Sequence, residues 1–287
     1  MNTIAVSGLS GFVGQHLKEH FSSLGFDVIA ITRDDLANET KLNEKITKSD
    51  IVINLAGANI IHKWSESYKK LLYNSRIDTT QKIVNAIKKS ENKPEVLIST
   101  SAMGIYSNKK INTEEEFEYG NDFLAHVCKD WEKEALKAKE DTRVAIFRFG
   151  IVLGKDGGAL QTMLPPFKLG VGGTIGDGSQ HFSFIHIDDL VNAFEYVIDM
   201  KNLDGVFNLS APEPTTNKGL TKALGEVLHR LTLFPVPHFV LKLMYGEGAS
   251  VLTDGQSMVP KRLLENGFEF KYHNIKQTLQ NLLGEKN

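Results

Sequence analysis

Met1-Asn2-Thr3-Ile4-Ala5-Val6-Ser7, followed at once by Gly8-Leu9-Ser10-Gly11-Phe12-Val13-Gly14, is the stretch that decides the fold. The first seven residues read as a short apolar strand. A glycine at every third position then lets the backbone turn tightly into a helix. It also removes the Cβ atoms that would hold a pyrophosphate away from the peptide N–H groups of Ser10, Gly11, Phe12 and Val13. Val13, Leu17, Phe21 and Leu24 recur every three or four residues, as in an amphipathic helix. Gly25 ends that helix, and Phe26 to Ile31 reads as a second strand. Strand, glycine turn, helix and strand within about thirty residues is the context in which such a turn binds a dinucleotide.

The next residues bear on which dinucleotide. Thr32-Arg33-Asp34-Asp35 follows the second strand. An acidic side chain here would take a ribose 2′-hydroxyl, whereas an arginine suits a 2′-phosphate. Arg33 favours NADP over NAD, although Asp34 or Asp35 could turn inward and an exposed loop arginine is the plain alternative. Asp50 to Gly57 is a third strand, apolar throughout as a strand covered on both faces should be. Its end, Ala56-Gly57, is small enough for an adenosine to lie against the backbone. A long helix is expected over 68–89, and Arg76 within it reaches either a phosphate or carboxylate or a surface salt bridge.

Pro94 to Ser101 is a fourth strand ending in Ser99-Thr100-Ser101. Parallel sheets place ligands at such carboxyl ends, so these hydroxyls and Tyr106 form a candidate polar wall. Thr113 to Glu116 reads as a solvated acidic loop. A helix over 121–138 buries Leu124, Val127, Cys128, Trp131 and Ala135, which makes Cys128 an inert core thiol. A fifth strand, 143–148, ends in Arg148. Residues 157–178 read as a glycine-rich loop or lid. Asp188-Asp189 is expected to cap a helix over 190–200, and 205–210 is the last sheet strand. Beyond Pro212 the pattern is mostly helical, with a strand-like Phe268 to Tyr272.

Composition sets the outer bounds. In 287 residues, 41% are hydrophobic and 24% charged, as in an ordinary soluble protein. A net charge of −2 gives no electrostatic case for nucleic acid or an anionic membrane. One cysteine excludes an internal disulfide, and no His/Cys cluster has metal-ligand spacing. No leader or membrane span is expected, and a cytoplasmic protein is.

Together these stretches resemble the short-chain dehydrogenase/reductase superfamily in its extended, epimerase-like branch. The resemblance rests on the glycine turn, Asn54-Leu55-Ala56-Gly57, the Ser-rich strand end with Tyr106, and Gly176-Asp177-Gly178-x-Gln180 leading into Phe184 to Leu190. Ser75-Arg76, Arg148-x-Gly150-x-Val152-Leu153-Gly154 and Val259 to Phe268 narrow it to a subgroup known only as epimerase family proteins. The resemblance implies an α/β Rossmann fold with a doubly wound parallel sheet. Residues 1–211 would form the dinucleotide-binding domain, with 155–185 on the substrate side, and 212–287 a small helical lobe. It implies NADP contacts at Thr32, Arg33, Ala56, Gly57, Arg76 and Arg148, beside the glycine turn.

Two departures matter. The superfamily's Tyr and Lys, four apart on a helix, are replaced by Asp122-Phe123-Leu124-Ala125-His126-Val127-Cys128. Tyr106 and Lys110 share that spacing only in a loop, where residues four apart do not face together. The arginine that grips a sugar-nucleotide diphosphate is replaced by Phe182, and Phe182 and Phe184 suggest a smaller or less charged ligand. The leading expectation is an NADP-dependent oxidoreductase or isomerase. Ser101 would hydrogen-bond a substrate carbonyl, and Tyr106 would donate a proton with a pKa near the usual value of about 10. The alternatives are a non-catalytic NADP(H) sensor or partner-binding protein, and a nucleotide-sugar epimerase or dehydratase. Among the histidines, His126 should face outward, His186 should be structural, and His181 is the remaining acid–base candidate. A homodimer through the two long helices, with Leu71, Leu72 and Tyr73, is a further expectation.

Overall fold

The computed structural model describes residues 2–284; Met1 of the opening strand and residues 285–287 of the C-terminal lobe lie outside the described residues. Six parallel strands, β1 (Thr3–Ser7), β2 (Asp27–Ile31), β3 (Ile51–Asn54), β4 (Val96–Ala102), β5 (Arg143–Phe149) and β6 (Gly205–Leu209), form one sheet in the order β2-β1-β3-β4-β5-β6. After β2 the chain passes to the other side of β1. The carboxyl ends of β1 and β3 therefore flank the crevice where winding reverses, the place where such sheets bind ligands.

The helices of eight or more residues are α1 (Phe12–Ser23), α2 (Glu39–Thr47), α3 (Glu66–Lys89), α4 (Phe123–Ala135), α5 (Gly158–Lys168), α6 (Ile187–Asp199), α7 (Asn217–Leu228), α8 (His238–Tyr245) and α9 (Ile275–Leu283). One sheet face packs α1 and α6 around Phe147, whose ring meets Phe194 edge-on at 4.7 Å. The other face packs α2 and α3 through Leu42, Ile46, Ile83, Val84 and Ile87. A third cluster, with Leu160, Phe182, Phe184, Leu220 and Leu279, is the core of the second lobe. There Ile151–Leu153 pairs in parallel with Phe184–His186. Among the described residues, no helix is long and apolar enough to cross a membrane.

Several local expectations are corrected. The long helix begins at Glu66 because the Ser65 hydroxyl accepts the Tyr68 N–H at its N-terminus. The glycine-rich loop contains α5, despite Pro165 and Pro166. A proline inside a helix costs about 3 kcal/mol or more. Burial of Leu160, Leu164 and Phe167 on one face returns about 1.5–3 kcal/mol for each side chain. The acidic loop is not wholly solvated. Glu114 is buried, accepting the N–H groups of Asn208 at 2.8 Å and Arg262 at 3.4 Å, and burial raises its pKa.

Phe268 to Tyr272 forms no strand. Phe268 and Phe270 enter the main core, and the N–H groups of Lys271 and Tyr272 donate to the buried Asp189 carboxylate at 2.8 and 3.0 Å. Asp189 is thus spent on the tail, and the cap of α6 is His186, whose Nδ1 accepts the Asp188 N–H. Phe182 and Phe184 lie in the second lobe's core rather than facing a ligand, so they carry no information about substrate size.

Candidate functional site

The glycine turn explains itself by distances. Gly8 has φ +76°, and a Cβ there would sit 3.1 Å from the Leu55 carbonyl carbon. A Cβ on Gly14 would come within 2.6 Å of the carbonyl oxygens of Gly8 and Leu9, so this glycine lets α1 press onto the turn. Gly11 donates to the Gly8 carbonyl at 3.0 Å and stands at the N-cap of α1 without a side-chain cap. The N–H groups at the start of α1, with Ser10 and Gly11 exposed beside them, therefore face the crevice at a helix N-terminus. The Phe12 ring runs the other way, against the backbone of Gly154, Gly157 and Gly158. Replacing Gly14 by alanine should destabilise the protein by about 2–4 kcal/mol, because the clash is with backbone. A denaturant midpoint within error of the parent would contradict this.

At the end of β2 the acids are already committed. Thr32 caps the short helix Arg33–Ala37: its N–H and hydroxyl donate to Asp35 at 2.6 and 2.7 Å, and its hydroxyl accepts the Asp35 N–H. Lys45 adds an ion pair to Asp35 at 2.6 Å. Burial would raise the Asp35 pKa, but the bonds from Lys45 and Thr32 outweigh it and hold the carboxyl ionised. Asp34 pairs with Lys41 at 2.6 Å. Arg33 is exposed and in no ion pair among the described residues.

At the end of β3, Ala56 donates its N–H to the Ser7 hydroxyl at 3.2 Å, and the Arg76 guanidinium lies over Gly57, 3.0 Å from where a Cβ would be. Arg76 donates to the carbonyls of Leu72 and Ala58 at 3.0 and 3.1 Å and stacks over Trp131 at 5.3 Å. Burial lowers its pKa, and no carboxylate pairs with it among the described residues. Arg76 is thus a half-buried cation whose hydrogen-bond partners are carbonyls and which has no carboxylate to offset its charge among the described residues. Asn54 anchors this corner from beneath, accepting from Ser7 at 2.6 Å and donating to Thr80 at 2.8 Å.

The structure gathers Ser101, Tyr106 and Arg148 into one network, but a sealed one, with exposures of 2%, 0% and 2%. Ser101 donates to Glu132 at 2.6 Å. Arg148 grips the same carboxylate with two bonds of 2.7 Å and donates to the Tyr106 hydroxyl at 2.7 Å. Tyr106 in turn donates to Asn208 at 2.6 Å. Burial would lower the Arg148 pKa, but the Glu132 bonds more than offset it. Burial pushes the Tyr106 phenol up to about 12 in spite of the neighbouring guanidinium. Three expectations change accordingly. Ser101 already donates its O–H to Glu132 and is not free to donate to a substrate carbonyl. Tyr106 does not stand free as a donor, and its pKa lies above the usual value rather than near it. Arg148 is occupied by Glu132 rather than open to a phosphate.

Glu132 and Asn208 escaped the sequence reading. A signal existed for Glu132: it follows Cys128 by four residues and precedes Ala135 by three, on the buried stripe of α4. Asn208 had none, since its role depends on Tyr106, 102 residues away. His126 is exposed on α4. His186 is buried, stacked on Tyr272 at 3.8 Å and bonded to Asn281, and burial lowers its pKa. His181 is half-buried and bridges by its backbone to Thr216. Cys128 is buried, its thiol pushed up to about 12 by burial. Leu72 is buried and Tyr73 donates to Asp130 at 2.8 Å, so both pack α3 against α4; Leu71 is exposed. Among the described residues, no group of three or more His, Cys, Asp or Glu side chains is arranged so that it could hold a metal ion.

Comparison with known proteins agrees with this architecture. Residues 4–210 match the model of the NAD dependent epimerase/dehydratase family, and residues 236–282 match a domain of unknown function. The chain is 39% identical to the Arabidopsis thaliana epimerase family protein SDR39U1 homolog, chloroplastic, over 98% of this chain and 86% of that protein. It is 35% identical to Bacillus subtilis epimerase family protein YfhF, covering 99% and 98%. The crystal structure of human epimerase family protein SDR39U1 with NADPH superposes with a TM-score of 0.91 at 30% identity, covering 98% and 99%. A Thermus thermophilus UDP-glucose 4-epimerase complex with NAD shares the fold, with a TM-score of 0.76 at 16% identity over 98% and 99%. On fold, sequence and extent alike, the chain belongs to the NAD dependent epimerase/dehydratase family.

Proposed function

We propose that this protein binds NADP(H) in the crevice between β1 and β3 and exchanges a hydride with an acceptor that is not a nucleotide sugar, without the superfamily's Tyr–Lys proton transfer. The observation that carries the choice of cofactor is Arg33, unpaired at the end of β2 while Asp34 and Asp35 are both engaged. A ribose 2′-phosphate beside it gains a cation, whereas a 2′-hydroxyl finds no free carboxylate. The human relative's NADPH supports the same reading.

The N–H groups of Gly11, Phe12 and Val13, with Ser10, would hold the pyrophosphate. Arg33 would hold the 2′-phosphate, on a turn that Thr32 fixes by committing its N–H and hydroxyl to Asp35, and Ala56 and Gly57 would lie against the adenosine. Arg76 would face a phosphate from across Gly57. Bound NADP(H) supplies or takes the hydride. Ser101 and Tyr106 keep their protons within the Glu132–Arg148–Asn208 network. An acceptor reduced here takes its proton from water, which suits a quinone or activated carbonyl better than a sugar.

The same sealing favours one second reading, NADP(H) binding without turnover. Purified protein with NADPH and a panel of aldehydes, ketones and quinones separates the two: oxidation of NADPH by any of them supports the first, and oxidation by none the second. In either case Tyr106→Phe should leave NADPH affinity and any turnover within about threefold of the parent. A loss of turnover beyond about tenfold in a folded Tyr106→Phe protein would return the phenol to the chemistry.

A further inference from the structure

Large apolar side chains are exposed chiefly in one region of this molecule. Leu169 is 78% exposed, Leu231 72%, Phe239 71% and Leu243 80%, with Leu233, Phe234 and Met244 also more than half exposed. Two segments bring them together. The Val236 N–H donates to the Thr174 carbonyl at 2.7 Å, Gly176 donates back to Val236 at 2.9 Å, and the Arg230 side chain reaches the Lys168 carbonyl at 3.3 Å. α8 follows directly, with His238 against Gly176 and Leu241 turned inward. Phe239 and Leu243, four apart, share its outer face.

The charge of these segments is one-sided. Neither 157–176 nor 227–246 contains an aspartate or glutamate; the acids lie at their margins, Asp156, Asp177, Glu226 and Glu247, with Asp177 near His238. Lys168, Arg230 and Lys242 are exposed there and in no ion pair among the described residues. The whole-chain charge of −2 therefore conceals a local surface that is both apolar and cationic. The outer faces of α3 and α4 differ: Leu71 is the large apolar residue they expose, among lysines, Asp78 and Gln81.

We propose that the surface of residues 168–175 and 230–244 docks on an anionic lipid membrane, with Phe239, Leu243 and Met244 entering the interface and Lys168, Arg230 and Lys242 meeting the headgroups. Side chains this exposed stand proud of the surface rather than lining a pocket, which suits a plane of lipid more than a small molecule. Phe239 and Leu243 beside Lys242 give α8 the apolar and cationic sides of an interfacial helix, and Lys168 and Arg230 on the adjoining segments complement an anionic leaflet. Beyond α8, Gly246 and Gly248 abut Lys63, His62 and Trp64, and Glu247 pairs with Lys69. That loop continues the chain from Ala56-Gly57 at the end of β3. The inference stands on the surface itself and does not depend on which dinucleotide is bound.

The test is co-sedimentation of the full-length protein with phosphatidylcholine vesicles, with and without phosphatidylglycerol. Binding to the anionic vesicles is expected, weakened by salt. The Phe239→Ser/Leu243→Ser double variant should reduce it at least about tenfold, and Lys242→Glu severalfold. Leu71→Ser should leave it unchanged, and NADPH titration of every variant checks that each is folded. Failure to bind anionic vesicles, or equal binding by the double variant, would overturn the proposal. So would light scattering that shows a dimer broken by the double variant and no vesicle binding: the face would then join two copies of the chain.

Discussion

Substituting Arg33→Asp should weaken NADPH binding about 30- to 100-fold while changing NADH binding by no more than about threefold. Hydrogen bonds between a charged donor and a phosphate contribute about 1.5–3 kcal/mol, and each 1.4 kcal/mol is a factor of ten in affinity. The aspartate would also repel the 2′-phosphate and offer a carboxylate to a 2′-hydroxyl, so the two cofactors should move apart. Stability should barely change, because Arg33 is exposed while Thr32, Asp35 and Lys45 hold the local turn without it. Equal losses for both cofactors by calorimetric titration would remove Arg33 from its assigned role.

The second large effect is on folding. Glu132→Ala leaves Arg148 charged, 2% exposed and without its carboxylate. Breaking a buried ion pair from one side typically costs about 3–5 kcal/mol, because the remaining charge stays buried. Ser101 loses its acceptor in the same step. The double replacement Glu132→Leu with Arg148→Met removes both charges and should recover most of that loss, since apolar pairs of similar volume often match a buried ion pair. Urea unfolding checks both. A Glu132→Ala protein within about 1 kcal/mol of the parent would mean that the pair is far better solvated than its geometry indicates.

These two predictions mark the boundary of what the sequence discloses. The glycine turn and the apolar strands are local patterns, and the backbone takes the tight turn and the parallel strands that they specify. Arg33 was legible as a candidate but undecided, because the fate of Asp34 and Asp35 depends on Lys41 and Lys45, a turn or more downstream. Ser101, Tyr106 and Arg148 were each noticed at strand ends, yet their roles turned on Glu132 and Asn208. Strand-end position shows where the backbone stops; it does not show whether a side chain meets water or another strand. Phe182 misled for the same reason. Its place in the sequence suggested a ligand contact, and the second lobe's core took the ring instead. The solvated reading of Glu114 failed because its partners, Asn208 and Arg262, lie 94 and 148 residues away.

The proposed function rests on a crevice at the reversal of strand order and on Arg33, exposed and in no ion pair among the described residues at the end of β2. Titration of the purified protein with NADPH and with NADH, followed by calorimetry under identical salt, tests that most directly. The account predicts binding of both with NADPH at least about tenfold tighter. Equal affinities, a preference for NADH, or binding of neither would contradict it.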